Sequence, residues 1–339
     1  MTRVKVGRCP EMPVDDARKA AEKILVDMNA GINPNEAKRK ERTERGRTLK
    51  ELFDLKLSTP KSQKLKASTK AFYEQTFNRH LAKWGNKRVK EITLEEATAL
   101  HAAIGKDSPY SANAAIKILR GILSFQESID ITYRNPLRGF SESVGLFEEE
   151  PRKNFISKED LPKWYEAVNG LWNDTARDYL LLLLYTGLRR NEGMGLRWEN
   201  IDLVNNIMTI PDTKNKLVHR LPIPSPVITM LNNRKAVYGG GMYVFPASTK
   251  SGHLTTVQHV LKDLVDTPGV PDFQLHDIRR TFANQAAEVA PWQVVKWLLN
   301  HRSKSDVTDR HYVTPDIEFL REPMEKIALE LLRIATTKI

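Results

Sequence analysis

Cysteine is nearly absent from this chain: Cys9 stands alone among 339 residues. A single thiol excludes an intramolecular disulfide and any metal cage built from cysteines. Long apolar runs are missing too. The longest, Tyr179 to Tyr185, falls far short of the roughly 20 residues that span a bilayer. The first residues, Met-Thr-Arg-Val-Lys-Val-Gly, have no apolar stretch of signal-peptide length. A cytoplasmic protein with no membrane partner is therefore expected. Repeats and low-complexity tracts are also lacking. A two-metal nuclease would need a carboxylate cluster, and the spacing of Asp and Glu offers none.

Positive charge is what the chain has in excess. Its 53 Lys and Arg against 42 Asp and Glu leave a net charge of +11, which favours a polyanionic partner such as DNA or RNA. The length suits two or three domains, and 40% hydrophobic residues can fill their cores.

Three segments differ in character. In 1–45, a strand-like piece around Arg3–Val6 precedes a helix with Ala20, Ala21, Ile24, Leu25 and Met28 at helical spacing, capped by Asp15 or Asp16 and ending near Gly31. A basic run follows, with Lys38, Arg39, Lys40, Arg42, Arg45 and Arg47, either a solvated linker or one that tracks phosphates. Residues 46–150 read as a bundle of about four helices. Thr48 with Glu51 and Thr93 with Glu96 have capping-box spacing. Phe72, Phe77, Leu81 and Trp84 mark one helical face; Ala115, Ile118, Leu119, Ile122 and Phe125 mark another, opened by Ser111.

Residues 151–339 are mixed, so the chain as a whole is mainly α with a small β-sheet. Ser157 and Asp160 open a helix, and Tyr179–Tyr185 belongs to a buried one. Ile207–Ile210 and Arg220–Ile223 form a hairpin with Lys214 and Lys216 near its turn. Pro323 suits the first position of the last helix. Its stripe of Met324, Ile327, Leu331 and Ile334 packs on its own domain or docks on another subunit.

The chemistry gathers in this last segment. Arg189 follows a buried helix and a glycine turn, with Glu192 placed to orient it. His276 and Arg279 share a helical face at i, i+3, offering a proton carrier beside a fork for phosphate oxygens. His301 comes next, and His311-Tyr312 eleven positions on. A tyrosine can attack a phosphodiester and hold it covalently, given positive charge nearby. Singly these features are weak, since the chain has nine tyrosines; their order is what selects.

That ordered set, in TGLRRNEGMGLRWENID (186–202), LHDIRRTFAN (275–284) and LLNHRSKSDVTDRHY (298–312), resembles the catalytic domain of the tyrosine recombinases, the lambda-integrase-like family. The resemblance implies that Arg189 and Arg279 are the two catalytic arginines and His276 the histidine of the H-x-x-R box. His301 corresponds to the later histidine, Lys214 (or Lys216) to the hairpin lysine and Tyr312 to the nucleophile. It further implies 3′-phosphotyrosine chemistry without metal or cofactor, a homotetramer on double-stranded attachment sites, and accessory DNA-bending or excisionase proteins. Integration and excision of a mobile element would follow. Asn300 departs from the family, which commonly has glycine there. The 46–150 bundle takes the place of the core-DNA-binding domain. VGRCPEMPVDDARKAAEKILVDMNAGINPNEAKR (6–39) looks like an abbreviated arm-DNA-binding domain of phage and genomic-island integrases. A type IB topoisomerase, a chromosome-dimer resolvase and a non-catalytic DNA-binding relative are the alternatives.

Overall fold

A computed structural model describes residues 4, 6, 12–30, 33, 35, 46–150, 152–213, 217–301 and 316–337. Arg3 and Lys5 of the Arg3–Val6 piece expected from sequence lie outside them, as do the basic run as far as Arg45, Lys214, Lys216 and Tyr312. The chain divides into two compact units, Met1–Pro151 and Arg152–Ile339.

The first unit is helical. α1 (Val14–Asn29) starts after Pro13, so Asp15 and Asp16 lie in its first turn rather than capping it. There they meet the positive end of the helix dipole. Its apolar stripe is not core: Leu25 and Met28 are exposed. α2 (Leu49–Ser58) and α4 (Leu94–Gly105) both begin with the expected capping boxes, Thr48 with Glu51 and Thr93 with Glu96. α3 (Ala67–Thr76) runs into a π-helical turn at Phe77–Leu81. Five residues per hydrogen-bonded ring instead of four turn the helix face. Phe77 and Leu81 are thereby buried while Phe72, expected on the same face, is exposed. Phe77 stacks on Phe53 with ring centroids 4.3 Å apart. α5 (Pro109–Ile129) is capped by Ser108, not Ser111; the Ser108 hydroxyl accepts from the Ser111 N–H. It lays Ala115, Ile116, Leu119 and Ile122 into the core.

The second unit carries the small sheet. α6 (Leu161–Asn169) follows a turn in which the Ser157 hydroxyl accepts from the Asp160 N–H. α7 (Asp174–Thr186) is the expected buried helix, with Tyr179, Leu180, Leu182, Leu183 and Leu184 at 0% exposure. After α8 (Arg190–Met194), three antiparallel strands lie in the order β1 (Ile201–Asp202), β2 (Ile207–Ile210) and β3 (His219–Pro222). β1 is additional to the hairpin read from sequence. β3 begins one residue earlier than expected and places His219 opposite Ile210. Helices α9 (Ser225–Tyr238), α10 (Gln258–Val265), α11 (Leu275–Val289), α12 (Trp292–Leu298) and α13 (Ile317–Ala335) complete it. No described helix is long and apolar enough to cross a membrane.

α13 corrects one expectation and bears on another. It starts at Asp316, whose side chain accepts from the Glu318 N–H, so Pro323 lies inside the helix and not at its first position. Its stripe is buried in the chain's own unit: Met324, Ile327 and Leu331 are at 0% exposure, packed with α7, α11 and β3. Of the two placements expected for the stripe, packing on its own unit is the one this structure has. An interior proline removes the bond to the Phe319 carbonyl and costs about 3 kcal/mol. Each buried aliphatic side chain contributes roughly 2 kcal/mol, so four of them on one face hold the helix through the proline. Pro323→Ala should therefore raise the urea midpoint, by about 1–2 kcal/mol of stability. A lowered midpoint would mean that the ring itself packs better than the lost bond.

Candidate active site

Four turns converge in the second unit. α7 ends in Gly187, whose φ of +62° is in the left-handed region and whose N–H bonds the Leu183 carbonyl. The chain then delivers Arg189 to the start of α8. There Glu192 answers it twice, accepting from the Arg189 backbone N–H at 3.0 Å and from its guanidinium at 3.0 Å. Glu192 is buried, so the guanidinium rests on a fixed carboxylate.

α11 supplies His276 and Arg279, one turn apart on the same helix. Its start is locked by Asp277, at 0% exposure, which accepts from the Gln274 N–H at 2.9 Å. Asp277 also takes Arg280 at 2.7 Å and Arg152 at 3.1 Å, tying the beginning of this unit to the functional helix. Arg152 reaches Asp272 as well, at 3.3 Å.

Arg279 is 4% exposed, yet no carboxylate bonds it among the described residues. Its guanidinium donates to the carbonyls of Gly187 and, at 2.6 Å, Leu299, and to His301 Nε2 at 2.9 Å. Accepting from an arginine fixes the His301 tautomer: Nε2 carries the lone pair and Nδ1 the proton. Burial, then the charge of Arg189, pulls Arg279 down to about 10, with Glu192 opposing. It is still a cation at neutral pH.

α12 ends by aiming His301. The Asn300 N–H bonds the Trp297 carbonyl at 3.0 Å and the His301 N–H bonds the Lys296 carbonyl at 2.9 Å, the paired closure of a Schellman motif. That motif needs a left-handed residue between, and Asn300 has φ +49°. Asn is the residue after glycine best suited to that conformation. The departure from the family's usual glycine therefore keeps the backbone turn.

Arg189, His276 and Arg279 line one cavity of about 510 Å³ with Arg190, Lys262 and Gln274, and His301 joins them through Arg279. Of the six residues singled out in the sequence, these four come together; Lys214 and Tyr312 lie outside the described residues. Among the described residues no group of three or more His, Cys, Asp or Glu could hold a metal ion.

Sequence reasoning missed His219. It is 6% exposed at the head of β3, and strand alternation from His219 to Leu221 would have flagged a polar residue on an inward position. Burial pulls its proton affinity down to about 4, helped by Arg279 and Arg189 and opposed by Glu192. His301 is likewise lowered to about 4 by burial, Arg279, Arg189 and His276. His276 is lowered by burial, Arg280, Arg279 and Arg189, against Asp277.

Histidines held neutral in this way make stability depend on pH. The unfolded chain binds their protons first, so stability falls as pH drops below about 6.5, until the folded protein is protonated too. For buried His219 the loss between pH 7 and 4 is roughly 3 kcal/mol. Urea unfolding at pH 7 and at pH 5 should show a drop in the wild type that His219→Leu reduces. An equal drop in both proteins would place the effect elsewhere.

Residues 154–318 match the phage integrase family. Over nearly its whole length the chain is similar to prophage integrase IntF of Escherichia coli K12, at 24% identity over 98% of this chain and 80% of the relative. Prophage integrase IntA of the same organism is 24% identical over 98% of this chain and 83% of its own length. Among solved structures, a lambda integrase tetramer bound to a Holliday junction matches with TM-score 0.63 at 16% identity, over 90% of this chain and 91% of that one. The Tn1549 transposon integrase in complex with transposon right-end DNA matches with TM-score 0.64 at 16% identity, over 83% and 100%. Those likenesses share the mostly helical fold and its small sheet.

Proposed function

Because this chain belongs to the phage integrase family of tyrosine recombinases, we propose that it cuts and rejoins duplex attachment sites through a 3′-phosphotyrosine on Tyr312. One observation carries the reading most directly. A buried guanidinium, Arg279, bonds only carbonyls and a neutral imidazole among the described residues, beside a second guanidinium at the same cavity. A buried cation without a counter-charge favours an anion in that opening, and a phosphodiester has the right two oxygens.

Arg189 and Arg279 would each donate to a nonbridging oxygen and stabilise the charge that builds in the pentacoordinate transition state. The Tyr312 oxygen attacks phosphorus, and the bond from phosphorus to the 5′ oxygen breaks. His276, neutral at working pH, takes the phenol proton, and Lys214 (or Lys216) gives one to the leaving oxygen. His301 donates its Nδ1–H to the phosphate. The free 5′ hydroxyl of a partner strand then reverses the sequence. Lambda integrase, which shares the fold, is a tetramer on a Holliday junction; four protomers, each cutting one strand, are the assembly proposed here too. Residues 151–339 would be the catalytic part, 46–150 the core-DNA-binding part and 1–45 an abbreviated arm-binding part with its basic linker.

Covalent trapping on nicked DNA carrying the flanking repeat of the element tests this. A denaturant-resistant protein–DNA complex should form with the wild type and not with Tyr312→Phe. A complex with both proteins would mean another residue attacks. Absence from both, with DNA still bound, would leave a binding protein without the chemistry.

A further inference from the structure

His219 has no part in the reaction just described, yet the two arginines beside it do. Neither Nδ1 nor Nε2 of this buried ring has a hydrogen-bond partner among the described residues. Its charged surroundings are Glu192 of α8, Arg279 of α11 and Arg189. The Trp297 carbonyl favours the protonated ring without reaching hydrogen-bond geometry. An apolar side chain of similar volume would be more stable in that position, because buried donors and acceptors left unmet are costly. Native interiors hold few such groups, and those that persist call for a reason other than packing.

The resting arrangement gives Glu192 its donor: the Arg189 guanidinium. A phosphate at the cavity competes for that same guanidinium. We infer that His219 is a positioning residue for strand transfer, donating to Glu192 when Arg189 turns to the phosphate. A neutral imidazole suits the task, since it offers a donor and an acceptor without adding a third positive charge beside the two arginines. Without phosphate it has no hydrogen-bond partner among the described residues. The inference rests on the recombinase reading above.

The full chain should be compared as wild type, His219→Leu and His219→Gln on the same nicked DNA, with thermal unfolding and DNA affinity measured alongside. His219→Leu should unfold at the same or a higher temperature and bind DNA as the wild type does. Its covalent complex should nonetheless form at least about tenfold more slowly, as a loosened reacting geometry predicts. His219→Gln keeps a donor and an acceptor and should return to within about threefold of wild type. Cleavage by His219→Leu at the wild-type rate overturns the inference. So does a slow His219→Leu that is also destabilised, because that is the mark of a packing residue. A glutamine variant as slow as the leucine one rules out hydrogen bonding as the means. A wild type that forms no covalent complex sinks the recombinase reading itself, and is told apart by failing before any variant is compared.

Discussion

Arg279→Ala is expected to slow covalent-complex formation at least about 10³-fold while changing DNA affinity by less than about tenfold. The reasoning starts from burial. This guanidinium is held at the junction of two chain turns, by the carbonyls of Gly187 and Leu299. Its charge is costly there, which is why its proton affinity falls. In the proposed reaction a phosphate would relieve that cost, and a phosphorane, with more negative charge, would relieve it further. The rate therefore suffers more than the affinity. Removing the side chain also strands two buried carbonyls, at about 1–3 kcal/mol each, so the variant should unfold at a visibly lower urea concentration. Arg279→Lys keeps the charge but cannot fork to both carbonyls, and should be nearly as slow. Single-turnover cleavage and a binding titration on one DNA decide the matter. Equal losses in both would make Arg279 a phosphate anchor with no special tie to the transition state.

Gly187→Ala should cost about 3 kcal/mol of stability, through left-handed strain of about 1 kcal/mol and overpacking of about 2. A Cβ at this position would stand 2.5 Å from Phe282 Cδ1 and 3.0 Å from Leu299 Cδ2. Phe282 is at 0% exposure, so the ring has nowhere to retreat. Cleavage should fall further than stability alone explains, because the Gly187 carbonyl is one of the two that hold Arg279. Urea unfolding beside single-turnover cleavage at a temperature where the variant is folded separates the two effects. A folded variant with unchanged cleavage would show that the carbonyl does not set the guanidinium.

Much of this was legible in the chain. The capping boxes at Thr48 and Thr93 are local, four-residue events, and local chemistry survives folding unchanged. The pairing of Arg189 with Glu192, and the shared helix of His276 and Arg279, are of the same short range. What escaped depends on partners far along the sequence. Phe72 left the core because a π-helical turn follows it, and nothing in the apolar spacing announces that turn. Pro323 was read as a helix start, but burial of the stripe around it outweighs its missing N–H. The α1 stripe reads as core yet leaves Leu25 and Met28 exposed. His219 carries no motif; only the sheet register and the neighbours from α8 and α11 reveal what surrounds it. Asn300 departs from the family's glycine, yet its left-handed φ keeps the turn, which the sequence alone does not show.

The clamp of Arg152 on Asp277 and Asp272 bears on how this protein could be re-engineered. Arg152 opens the second unit but works as a fastener at the first turn of the helix that presents His276 and Arg279. A hybrid made by splicing a foreign first unit onto this second one must therefore be joined at or before residue 151. A junction a few residues later would discard the fastener and loosen the start of that helix.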